Sequence, residues 1–102
     1  MSDFVRVAKL TDVPVGAGRE LEHQGRLVAL FNLNGQIHAL DGTCPHAGGP
    51  LGDGELEGAT VTCPWHGWQF DVTTGRNRHN PTCVQQSYEV KIEGDDILLA
   101  LP

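Results

Sequence analysis

Apolar and polar positions alternate in short runs along this chain, and glycine or proline interrupts the runs, a texture that predicts strands rather than helices. Residues 4–8 (Phe-Val-Arg-Val-Ala) alternate weakly and predict a first strand, which Thr11-Asp12-Val13-Pro14 breaks. A short strand is expected over 19–23, with a turn at Gly25. Residues 26–33 are the strongest strand of the first half, and 36–40 resume after Asn34-Gly35. Asn-Gly between two apolar runs is a hairpin signal, because both residues tolerate positive φ.

The texture changes after Asp41-Gly42. Residues 43–54 are rich in Gly and Pro and keep neither a strand nor a helix period. Short strands are expected at 60–62 and 69–72, with a turn at Thr74-Gly75 and a polar loop over 76–82 that contains Pro81. Over 87–93 Tyr88, Val90 and Ile92 share one face; Gly94-Asp95-Asp96 turns the chain, and 97–101 close it. The expected architecture is all-β, with an irregular insert at about 43–83 and no helix of ordinary length. Long irregular stretches in compact domains are often functional. This one holds all three cysteines and three of the five histidines.

Composition sharpens that picture. A chain of 102 residues supports a single domain over 1–102 with one modest core. Its 13 glycines and 6 prolines fit a turn-rich β protein. A formal charge of −6 argues against nucleic acid, whose phosphates need a basic patch, and favours a basic protein partner. Three cysteines are an odd number for a disulfide framework. No basic segment leads into a long apolar run, and no stretch approaches a membrane span, so neither secretion nor a membrane is expected. The expected compartment is the cytoplasm, where thiols stay reduced and available to metal.

Two segments of the insert carry chemistry: Cys44-Pro45-His46 and Cys63-Pro64-Trp65-His66. Each pairs a thiolate donor with an imidazole, and such a set suits zinc or an iron–sulfur cluster. Zinc fingers usually put two cysteines in one knuckle and two histidines on a helix. Here each loop mixes the two donor types. Mixed loops suit a binuclear centre to which each loop gives one ligand per metal. A zinc-bound structural or interaction module remains the alternative of another class.

The pair Cys44-Pro45-His46 and Cys63-Pro64-Trp65-His66-Gly67-Trp68-Gln69-Phe70-Asp71 resembles the paired motif of the Rieske [2Fe–2S] family. The resemblance is nearest to its soluble ferredoxins, and extends to the small subunit of nitrite reductase and the Rieske domain of ring-hydroxylating oxygenases. Thr74-Gly75, the Pro81 loop and the strand pair around Tyr88 and Ile97 extend it over most of the chain. It implies three antiparallel sheets with a loop-rich cluster-binding lobe. It implies one [2Fe–2S] cluster, with Cys44 and Cys63 on the inner iron and His46 and His66 on the outer iron near solvent. The function implied is one-electron transfer from a reductase to an oxygenase or similar acceptor, by a carrier rather than a complete enzyme. Service as the small subunit of a nitrite reductase is the neighbouring alternative.

The sequence departs from the respiratory-complex members of the family. Their loops carry a further pair of cysteines joined in a disulfide, and the matching positions here are Gly49 and Trp65. Where they place a serine that donates to the cluster, this chain has Trp68. Residues 27–75 contain no Lys or Arg but do contain Asp41, Asp53, Glu55, Glu57 and Asp71. Fewer donors and more acids oppose reduction, so the potential is expected near the low end of the Rieske range, at roughly −150 mV. Cys83 reads as a small buried hydrophobe, and His23, His38 and His79 as surface polar groups. Trp68 and Phe70 read as core beneath the second loop. Gly48, Gly49 and Gly67 read as positions that admit the backbone close to the cluster.

Overall fold

A computed structural model describes residues 4–43, 50–64, 67–80 and 83–100. Nine strands follow one another: β1 (Phe4–Lys9), β2 (Gly18–His23), β3 (Arg26–Leu33), β4 (Gln36–Asp41), β5 (Glu55–Glu57), β6 (Thr60–Thr62), β7 (Gln69–Asp71), β8 (Ser87–Glu93) and β9 (Asp96–Ala100). The helical elements among the described residues are two 3-10 turns, Leu10–Asp12 and Leu51–Asp53. No helix among them is long and apolar enough to cross a membrane.

The large sheet runs β1-β9-β8-β4-β3-β2, and β5-β6-β7 form a second sheet. Every pairing is antiparallel. The two halves of the large sheet meet through only two register pairs, Ala39 with Tyr88 and Leu40 with Ser87. Taken as halves, they and the small sheet are the three antiparallel sheets expected. The Asn34-Gly35 hairpin forms as predicted: Asn34 has φ 54° and Gly35 φ 96°, and Leu33 pairs with Gln36. Gln24-Gly25 turns the preceding hairpin the same way, with φ 52° and 81°.

β3 sorts the interior into two cores. Val28 and Leu30 face one core with Ile37, Ala39, Tyr88, Ile97 and Leu99. Ala29 and Phe31 face the other, with Leu40, Leu51, Val61, Cys63, Phe70 and Val72. A strand buried on both faces has no polar side to show, which is why 26–33 reads as a nearly continuous apolar run. Buried Asn32 is the exception, and it is satisfied: its Nδ2 donates to the Val13 carbonyl at 2.7 Å, and its Oδ1 accepts the Gly35 N–H at 2.8 Å.

Some expectations shift. β5 is a strand that the sequence did not announce, because three residues with two acids carry no usable period. β7 ends at Asp71 rather than 72, since the Asp71 side chain caps the turn that follows. Tyr88, Val90 and Ile92 share a face, but burial fades along it until Ile92 is 42% exposed.

Candidate metal centre

The two segments that carry the expected ligands both begin and end at the second core. The first spans Thr43 to Pro50, which close its base as an isolated antiparallel bridge. The chain then makes the turn Leu51–Asp53 and enters β5, whose Glu55 pairs with Thr62 at the end of β6. Gly54 lies so close to the Thr62 carbonyl that no side chain could fit there. The exit of the first loop is thereby pressed against the residue that precedes Cys63.

Cys63 opens the second loop. It is 1% exposed and packs in the core with Leu51, Val61 and Phe70. Its N–H donates to the Trp68 carbonyl at 2.7 Å, which ties off the loop at its neck. Gly67 sits at φ +75°, with nothing described within 4 Å of where a Cβ would stand. Among the described residues its glycine is thus required by backbone conformation rather than by crowding. Trp68 and Phe70 lie under the loop as expected, their ring centroids 6.5 Å apart and tilted by 43°. Phe70 is fully buried and Trp68 partly so.

A third segment closes over this neck. Buried Asn77 organises it: its Oδ1 accepts the N–H groups of His79 (2.8 Å) and Asn80 (2.9 Å). Its own N–H donates to the Cys83 carbonyl at 2.9 Å. Gly67, Trp68, Asn77, His79 and Asn80 line a shared groove, and a ring nitrogen of His79 lies 3.2 Å from Gln69 Oε1. Pro81 itself lies outside the described residues.

Of the four expected ligands, Cys63 is described; Cys44, His46 and His66 lie outside the described residues, as do Pro45, Gly48, Gly49 and Trp65. What is described around them is the scaffold, and it contains residues that sequence reasoning passed over. Gln85, 6% exposed, donates from Nε2 to the carbonyls of Asp41 (2.8 Å) and Thr43 (2.5 Å), holding the entry of the first loop. Glu20 reaches the exit of that loop, where its Oε1 accepts the Gly52 N–H at 3.2 Å. Neither stands out in the sequence, because each acts across a gap of tens of residues. Cys83 is half-buried against the same core, in keeping with a packing role. His79 is exposed, whereas His23 and His38 are partly covered.

The acid-rich stretch is less one-sided than its composition suggests. Glu55 and Glu57 line a groove with Thr60, Thr62, Gln69 and Arg78, so a cation folds back onto the acidic face of the small sheet. Arg78 Nη1 stands 3.8 Å from Asp71 Oδ2. Burial acts to raise the Asp71 carboxyl, but hydrogen bonds from the Thr73 hydroxyl and N–H, with Arg78 nearby, hold it below the usual carboxylate range.

The described bases of the two loops, the Thr43–Pro50 bridge and the Cys63–Trp68 bond, stand on one apolar core. A family model described as the Rieske [2Fe-2S] domain matches residues 3–98, and the chain belongs to that family. Its cofactor is accordingly one [2Fe–2S] cluster of the Rieske type, and the zinc alternative falls away. The chain is 34% identical to the ferredoxin component of the naphthalene 1,2-dioxygenase system of Pseudomonas aeruginosa, over 96% of this chain and 95% of the relative. Among solved structures it is similar to the ferredoxin of carbazole 1,9a-dioxygenase from Nocardioides aromaticivorans, with a TM-score of 0.89, 28% identity, and coverage of 99% of this chain and 100% of that one. It is also similar to a chain in a complex of reduced oxygenase and oxidised ferredoxin of carbazole 1,9a-dioxygenase, with a TM-score of 0.85, 27% identity, and coverage of 95% and 92%.

The described part of the site fits the cluster. Cys63 offers a soft sulfur donor in an apolar setting with Leu51, Val61 and Phe70, which suits iron of a sulfide-bridged cluster. The chain just after the neighbouring loop packs against Thr62, the residue before Cys63, so the base of that loop lies close to this ligand position.

Proposed function

We propose that this chain is the ferredoxin component of an oxygenase system, taking single electrons from a reductase and passing them to a terminal oxygenase. Cys44 and Cys63 hold one iron of the cluster, and His46 and His66 hold the other. When bound, the cluster accepts and releases one electron at a time. The chain's own residues seat the Cys63 thiolate in a dry core, close both loops at their bases, and limit movement between oxidation states. The observation that supports this reading is buried Cys63 at the end of a strand whose preceding residue, Thr62, has Gly54 packed against its carbonyl just after the first loop. The chain acts as one domain, with residues of about 43–83 as its cluster lobe. It acts in the cytoplasm, and its partners are redox proteins rather than nucleic acid or membrane.

Iron and sulfide analysis with EPR on the purified protein tests the site. Two irons and two sulfides per chain, with a paramagnetic reduced state, are expected. Cys44→Ser should abolish the visible absorbance; a colourless wild-type protein with one zinc would overturn the assignment. For the partners, a reductase and an oxygenase component in solution should exchange electrons only when this protein is added. Co-purification with a large nitrite reductase instead would point to the subunit role.

A further inference from the structure

We infer that Glu20 is a positioning residue for the cluster: its carboxyl accepts the Gly52 N–H at the exit of the first ligand loop and packs against Gly42 at its entry. This rests on the assignment of Cys44 and His46 to that loop's metal-binding role.

The geometry is specific. Glu20 lies on β2 opposite Ala29 of β3, and its side chain reaches the place where the loop leaves and re-enters the sheet. On the exit side, Gly52 donates its N–H to Oε1, and its α-carbon lies so close that a Cβ would stand 2.6 Å from the Glu20 backbone. On the entry side, a Cβ on Gly42 would stand 2.5 Å from Oε1 and 2.9 Å from Oε2. The two glycine positions are linked through Leu51, whose N–H donates to the Gly42 carbonyl at 2.9 Å. One carboxyl is therefore enclosed by both ends of the loop, and both ends lack side chains where it enters.

Charge decides which form fits. Oε2 is buried and has no hydrogen-bond partner among the described residues. The charged groups facing it are Asp53 of the turn Leu51–Asp53 and Asp41 at the end of β4. β3 presents Ala29 and the Leu27 backbone, and on β2 the next residue on the same face is Glu22. No cation among these offsets the acids. Burial first, then Asp53 and Asp41, push the carboxyl up to about 7, against the Gly52 N–H, which favours the ionised form. A proton on Oε2 removes an uncompensated charge while Oε1 goes on accepting from Gly52. Because the folded-state value lies above the ordinary 4.5, the stabilisation is complete below that value. It fades as pH rises toward and through 7.

The test follows cluster loss from the holoprotein under excess chelator, by visible absorbance, between about pH 5 and about pH 8.5. The wild type should lose its cluster faster as pH rises through neutrality. Glu20→Gln, which mimics the neutral acid, should flatten that rise and stay slow. Glu20→Ala should be fast throughout, by about tenfold at the acid end, where a part-buried hydrogen bond has been removed. Exchange of the Gly52 and Leu51 amides should rise in Glu20→Ala and be restored in Glu20→Gln. A wild-type profile in Glu20→Gln, or wild-type retention and exchange in Glu20→Ala, overturns the inference. If Cys44→Ser keeps the cluster while Glu20→Ala still frees the Gly52 amide, the ligand assignment fails and the bridge stands.

Discussion

The large sheet and the cluster lobe are held by different means. In the large sheet, β2 and β3 pair over six positions, as do β3 and β4, and β8 and β9 pair over five. In the lobe, β5, β6 and β7 are three residues each. Short ladders contribute few hydrogen bonds. The lobe compensates with isolated bridges at Thr43–Pro50, Phe70–Asn77 and Arg76–Val84, and with side chains such as Asn77 and Gln85 that replace ladder bonds. The base is held by its own ladders, whereas the lobe relies on isolated bridges and side-chain bonds, so metal loss is expected to loosen the lobe first.

Four substitutions break or sharpen that contrast. Cys63→Ser has the largest expected effect: complete loss of visible absorbance, and faster amide exchange in β6 and β7 with β3 and β4 still protected. Uniform loss of protection in both regions would mean that base and lobe melt as one unit. Phe70→Ala removes a fully buried ring from the lobe core and should lower stability by about 3–5 kcal/mol in urea titrations. It should also shorten cluster lifetime. Asn32→Ala removes the bond to the Val13 carbonyl and leaves the Gly35 N–H without its acceptor. It should destabilise the base by about 1–3 kcal/mol, with cluster lifetime unchanged. Asp71→Asn should act least. Its carboxyl sits below its ordinary value, so the stability it adds is present at neutral pH and is lost as pH falls into the acid range. Solvent screening keeps that below about 1 kcal/mol. The substitution should blunt the acid limb of a stability–pH curve and leave the alkaline limb alone.

What was legible in the sequence follows from range. β3, β4 and the Asn34-Gly35 turn were readable because their signals lie within a few residues of one another. The two ligand motifs were readable because donor chemistry is carried by residue type. β5 was not, since its pairing with β6 owes more to Gly54 fitting against Thr62 than to any period of its own. Glu20 and Gln85 were missed for a related reason. They work by closing on Gly52 and Thr43, 32 and 42 positions away in the chain, and nothing local distinguishes them from ordinary surface polar residues. Arg78 likewise lies outside the cation-free stretch in sequence yet folds onto its acidic face.

The strand with two buried faces has one more consequence. Because Ala29 and Phe31 back onto Val28 and Leu30 along a single backbone, the wall that receives the lobe is laid down whenever the base folds. A nascent, iron-free chain would already offer that template, so cofactor delivery has only to seal a pocket against an existing floor. Drift at Ala29 or Phe31 would alter the floor of the lobe, whereas drift at Val28 or Leu30 would fall on the opposite core.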